Sequence, residues 1–141
     1  MSDRPYRVLV TGSRDWQKVG VVRRALAEVL AVRPHDQPVV VVHGDCPTGA
    51  DIMAKVWALT TFTPACTDDY ERVTEEPHSA AWHVHGRQAG PIRNAHMVSL
   101  GADICLAFIR NGSRGASHTA ALAEKAGIPT RRYTDTDGAT R

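Results

Sequence analysis

Glycines recur with hydroxyl or carboxylate side chains at three turns of this chain, each just past an apolar run, and arginine joins them at the first and third. The first turn is Gly12-Ser13-Arg14, after Arg7-Val8-Leu9-Val10-Thr11. The second starts at Gly44-Asp45, after Val39 to His43, and continues through Gly49 to Asp51. The third is Gly112-Ser113-Arg114-Gly115-Ala116-Ser117, after Ile104 to Ile109. Glycine lets the backbone turn sharply and lets a ligand come close. Where a helix follows, its free N–H groups and positive dipole end favour an anion, and a guanidinium adds charge-assisted hydrogen bonds. The third turn combines donors, hydroxyls and a guanidinium at a helix start. It is the strongest anion site in the sequence.

Other chemistries fit less well. Gly12-Ser13-Arg14 is not a G-x-G-x-x-G fingerprint, and the second turn lacks the Gly-Lys-Ser/Thr ending of a P-loop. Its aspartates, Asp45 and Asp51, suit ribose hydroxyls or a metal, while helix capping explains Asp51 equally well. His83 and His85 flank Val84, but no third ligand lies at a telling distance, so no metal is expected. No cofactor is expected either. Trp82, beside those histidines, suits either stacking on a base or packing, and core or surface packing is the preferred reading. Arg14, Arg87, Arg93, Arg110 and Arg114 all lie in or beside turn-like segments, against only three lysines in the chain. That bias is a modest hint of anion recognition.

The elements that must position these turns alternate between strand and helix. Apolar runs without polar alternation predict strands at 6–11, 38–43 and 103–109, buried on both faces of a parallel sheet. Weaker strands are expected at 62–66, where Pro64 argues for an edge, and at 128–133. Helical spacing follows Trp16 through Val22, Ala25, Leu26, Val29 and Leu30, stopping near Pro34. Further helices are expected from Thr48 as a cap through Leu59, from Pro91 to Leu100, and over 116–126 with Gly127 as the terminal glycine. The polar stretch 67–86 reads as a long loop. The fold class is thus α/β, a Rossmann-like doubly wound, mainly parallel five-stranded sheet of order 3-2-1-4-5. Its switch point lies between strands one and four, where the turns at 12–16 and 110–118 face each other.

Composition bounds the rest. A length of 141 residues suits one domain, 1–141, with 134–141 as a frayed tail. No apolar run reaches the roughly 20 residues of a membrane span, and the N-terminus lacks a secretory core, so a cytoplasmic protein is expected. Cys46, Cys66 and Cys105 form no disulfide or zinc pattern, and Cys105 sits in an expected buried strand. The net charge of +2 and the few aromatics argue against nucleic acid as a partner.

Three blocks carry a resemblance. They are Val10-Thr11-Gly12-Ser13-Arg14-Asp15-Trp16, then His43-Gly44 with Gly49-Ala50-Asp51, then Trp82 with His85 to Asn94. In this order they resemble the YspA/YpsA-related branch of the SLOG superfamily, Rossmann-like binders of nucleotides and nucleotide derivatives. The similarity runs from about Tyr6 to Tyr133. It implies that the three turns form a nucleotide or nucleotide-sugar pocket, and that Arg93 and Asn94 face it. It also implies a homodimer, for which the apolar helix near 50–60 offers Ile52, Met53, Val56, Trp57 and Leu59. LOG-type phosphoribohydrolases of the same superfamily work with Pro-Gly-Gly-x-Gly-Thr-x-x-Glu and an upstream arginine. Here Asn111 takes the proline place, Arg93 is the plausible arginine, and the glutamate position falls on Thr119. A hydroxyl cannot replace that carboxylate. The expectation is a binding protein with no assigned catalytic residue. The alternative is a nucleoside-monophosphate N-glycosidase using another acid, such as Asp45, Asp51 or one in 67–86. A second alternative is single-strand DNA binding, as in the DprA/Smf relatives.

Overall fold

The valine- and leucine-rich runs become the centre of one sheet. The computed structural model describes residues 4–34, 37–61 and 73–136. Strands β1 (Tyr6–Gly12), β2 (Val39–His43) and β4 (Ile104–Arg110) are flanked by β3 (Val73–Pro77) and β5 (Thr130–Asp135). The order is β3-β2-β1-β4-β5, and every neighbouring pair is parallel. This is the Rossmann-like α/β arrangement expected from the strand pattern.

Alternation along β1 divides the core between the two faces. Val8 and Val10 pack with Val22, Leu26 and Val29 of α1 (Val19–Val32) and with Ala54, Trp57 and Ala58 of α2 (Ala50–Thr61). Leu9 packs on the other face with Val42, Cys105, Met97 and Val98 of α4 (Ala89–Ser99), and Ala123 of α5 (Arg114–Lys125). Helix α5 turns Ala116, Thr119, Ala120 and Ala123 inward, and small side chains let it lie close to the sheet. It ends as expected, with Gly127 at φ +83° donating its N–H to the Glu124 carbonyl. Among the described residues no helix is long and apolar enough to cross a membrane.

Three element boundaries correct the sequence reading. The strand expected at 62–66 lies outside the described residues, and the edge strand is instead β3, inside the stretch read as a loop. Its Glu75 and Glu76 look like loop residues by composition, yet both are held by side chains from within the sheet. Glu75 meets the buried His43 at 2.5 Å, and Glu76 takes two hydrogen bonds of 2.9 Å from Arg7. Residues 67–72 of that stretch lie outside the described residues, and past β3 it carries α3 (Trp82–His85) and the start of a 3-10 turn at Gly86–Gln88. Helix α2 begins at Ala50, so Thr48 is not its cap. Strand β5 runs to Asp135, two residues into the expected tail.

Candidate functional site

The carboxyl ends of β1 and β4 part at the switch point, and the turns after them wall a cavity of about 710 Å³. Gly12, Arg14, Gly44, Asp51, Arg93, Asn94, Ser113, Arg114 and Gly115 line it, nine of the residues singled out in the sequence. Asp45 lines a second cavity of about 430 Å³, which shares Arg14, Gly44, Cys46, Trp82 and Arg93 with the first. Ser13, Gly49, Gly112 and Ser117 are absent from both walls.

Two of these departures have a clear structural cause. Ser13 is buried, and its hydroxyl accepts the Arg110 N–H at 2.8 Å, tying the β1 turn to the end of β4. Gly49 has φ +77°, and a Cβ there would sit 2.2 Å from the Ser13 carbonyl oxygen. These residues build the scaffold on which the cavity wall stands.

The anion turn is organised by α5. Ser113 occupies the cap position and makes no side-chain capping bond, and the first turn of the helix holds no acidic residue. The positive end of α5 is therefore unneutralised by its own side chains, with exposed Arg114 in its first turn. Thr119, at the place of the hydrolase glutamate, is fully buried and donates its hydroxyl to the Gly115 carbonyl at 2.9 Å. It does not reach the cavity.

A second polar group gathers around Gly44. A Cβ on Gly44 would lie 2.5 Å from Arg93 Nη1 and 2.9 Å from Asp51 Oδ2, so the glycine makes room for both side chains. Arg93 donates to the carbonyls of Gly44 and His78 and, through Nε, to Asn94 Oδ1 at 2.6 Å. Burial pulls its pKa below the ordinary arginine value, partly offset by Asp51. Asp51 is itself buried, with Oδ2 accepting the Cys46 N–H at 3.3 Å. Burial pushes its carboxyl above the usual range, against the opposing pull of His43, the backbone N–H groups and Arg93. The carboxyl bonds to the loop before its helix, so it acts as a wall residue and a loop tie at once. Asp45 behaves oppositely: the Ser79 hydroxyl, at 2.7 Å, holds its carboxyl below the usual range.

Two further residues bear on the cavity, His43 through its bond to the Asp45 turn and Trp82 on the wall itself. His43 is fully buried; its Nδ1 accepts the Asp45 N–H at 3.0 Å while Nε2 faces Glu75. It thereby fixes the start of the turn in which Asp45 adopts φ +55°. Trp82 is half exposed on the cavity wall, with the Arg14 guanidinium 5.2 Å from its ring centroid. Of the places the sequence offered for Trp82, the core does not hold; the ring packs at the surface, on a cavity wall. Its proximity to the Gly90-Pro91 helix start was the available signal.

Comparison with known proteins gives the same frame. A family model described as the YspA, cpYpsA-related SLOG family matches residues 6–85. The Gene 61 protein of Mycobacterium phage D29 is 43% identical over 129 residues, covering 92% of this chain and 97% of that protein. No solved structure matches the chain.

Proposed function

The chain belongs to the YspA, cpYpsA-related SLOG family, and from that premise we propose that its switch-point cavity binds a nucleotide or nucleotide derivative. The observation that carries this reading is the start of α5. Its unneutralised helix end, Ser113 and Arg114 share one cavity with Arg14 and Arg93. A phosphate there meets backbone donors and guanidinium groups together. Asp51 and Asn94 offer partners for ribose and base, with Asp45 in the adjoining cavity. The role is that of a sensor or sequestering protein for a nucleotide signal. Native mass spectrometry of the purified protein tests it: a co-purifying nucleotide mass is expected, and titration should then show saturable binding. Failure of every nucleotide tried to bind at millimolar concentration overturns the reading.

Asp51 supports a second reading, nucleoside-monophosphate N-glycosidase activity. A buried carboxyl with a raised pKa is suited to protonate a leaving base as water attacks the anomeric carbon. Incubation with a panel of nucleoside monophosphates, followed by chromatography for free base, decides between binding and turnover. Steady base release that disappears in Asp51→Asn supports the enzyme.

The assembly proposed is a homodimer through α2. Val56 and Leu59 on that helix are 52% and 58% exposed, and Ile52, Met53 and Val56 line a groove with Val19 of α1. Light scattering should give twice the chain mass of 15.3 kDa, and the single-chain mass at micromolar concentration rules the dimer out.

A further inference from the structure

Trp82 differs from the other tryptophans. It is 47% exposed, whereas Trp16 and Trp57 are 3% and 9% exposed and lie in the core. Its side chain lines both the 710 Å³ and the 430 Å³ cavities. Burying such a ring is normally favourable, so a half-exposed tryptophan on a cavity wall is informative. Gly90 fixes its edge: a Cβ there would lie 3.3 Å from Trp82 Cη2, so the glycine lets α4 pass against the indole. Over the ring lies the guanidinium of Arg14, from the turn after β1. A guanidinium is flat and weakly hydrated, and it occupies the place that a heteroaromatic ring takes in a stack.

We propose that Trp82 is the stacking platform for the ligand's base, and that the base displaces Arg14 from the indole toward the phosphate held at Ser113 and Arg114. The proposal rests on the nucleotide reading of the cavity. Arg14, Ser113 and Arg114 line the same space, so the released guanidinium stays within the site. A base stacked on tryptophan gains more than an exposed cation over the same ring. Arg14 exchanges that cation–π contact for a charge-assisted pair with phosphate. Base and phosphate recognition are thereby coupled through one side chain. The ligand class narrows from phosphorylated sugars in general to those carrying a flat heterocycle. Purines should bind ahead of pyrimidines, because the larger ring covers more of the indole.

The test compares adenosine monophosphate, uridine monophosphate and ribose 5-phosphate on the full chain by calorimetric titration. The unaltered protein should bind adenosine monophosphate about tenfold tighter than ribose 5-phosphate. Trp82→Phe should keep that preference within about threefold, while Trp82→Leu should abolish it and leave ribose 5-phosphate affinity within about twofold. Arg14→Ala should weaken adenosine monophosphate about fivefold and ribose 5-phosphate by less than about twofold, because only a base frees the guanidinium. Tryptophan fluorescence should be quenched by the nucleotide and not by the sugar phosphate. Equal affinities for nucleotide and sugar phosphate, or a Trp82→Leu variant that keeps the preference, overturn the stacking platform. Equal losses on both probes in Arg14→Ala overturn the displacement. Binding of none of the probes overturns the nucleotide reading itself, and this proposal with it.

Discussion

Arg114 and Asp51 contribute to the cavity in physically different ways, and two substitutions separate them. Arg114 is exposed at the first turn of α5, so its guanidinium can reach a phosphate without being needed by the fold. Arg114→Ala should weaken nucleotide binding by about 1.5–3 kcal/mol while leaving the melting temperature nearly unchanged. Arg131→Ala, on exposed β5 and 3.9 Å from Glu28, is the control and should bind normally. Equal affinities of the two variants in calorimetric titration would remove Arg114 from the site. Asp51 is the reverse case, a buried acid that the fold tolerates at a cost. Its raised pKa means that its stabilising contribution is complete below the ordinary value of 3.8 and is lost as pH rises through the folded value. Asp51→Asn keeps an acceptor for the Cys46 N–H and removes the titration. Thermal melts should therefore show the variant gaining on the unaltered protein from acid to neutral pH, with any base release lost. A variant less stable at neutral pH than at acid pH, relative to the parent, contradicts the burial argument.

At the scale of elements, the approach of α2 to β1 sets the shape of the cavity floor. A Cβ on Gly12 would lie 2.3 Å from the Ala50 Cβ at the first residue of α2. One on Gly49 would press on the Ser13 carbonyl oxygen in a positive-φ turn. Gly49→Ala combines clash with strain and should destabilise the protein by roughly 2 kcal/mol or more. Gly115→Ala meets open space and should not, which makes it the control in chemical denaturation. The same comparison shows what the sequence could reveal. The central strands and their turns were legible because a two-face buried strand needs an unbroken apolar run, and β1, β2 and β4 have one. Strand β3 was not, because Val73-Thr74-Glu75-Glu76-Pro77 is an edge held by His43 and Arg7, partners more than thirty residues away. Composition identified Gly12 and Gly49 as turn residues, but only packing shows whether a glycine serves a ligand or a neighbouring helix. The place of Trp82 was not legible for a related reason: exposure is a property of the assembled α3–α4 corner, not of its local sequence.

Across the whole molecule, charge is organised to hold the β3 edge onto the sheet, and this predicts how the fold responds to acid. Arg7 of β1 spans to Glu76 of β3 through two hydrogen bonds, donates its Nε to the Gly101 carbonyl, and gives its backbone N–H to Asp103. His78 adds a contact to Glu76 at 2.8 Å. The Arg7 guanidinium, followed by His78, holds the Glu76 carboxyl down to about 2, from an ordinary 4.5. A depressed carboxylate pKa stabilises the fold above the unfolded value, and that contribution is lost as pH falls from 4.5 through about 2. Glu76 is 34% exposed, so solvent screening reduces the contribution to on the order of 1 kcal/mol. Glu76→Gln should therefore be less stable than the parent at neutral pH, with the two denaturation free energies converging as pH drops across that window. Asp51 titrates with the opposite sign, so the parent's own pH profile mixes both effects, and only the difference between parent and Glu76→Gln isolates the β3 clamp. A difference that stays constant from neutral pH to the acid limit would show that Glu76 holds the edge by packing rather than by charge.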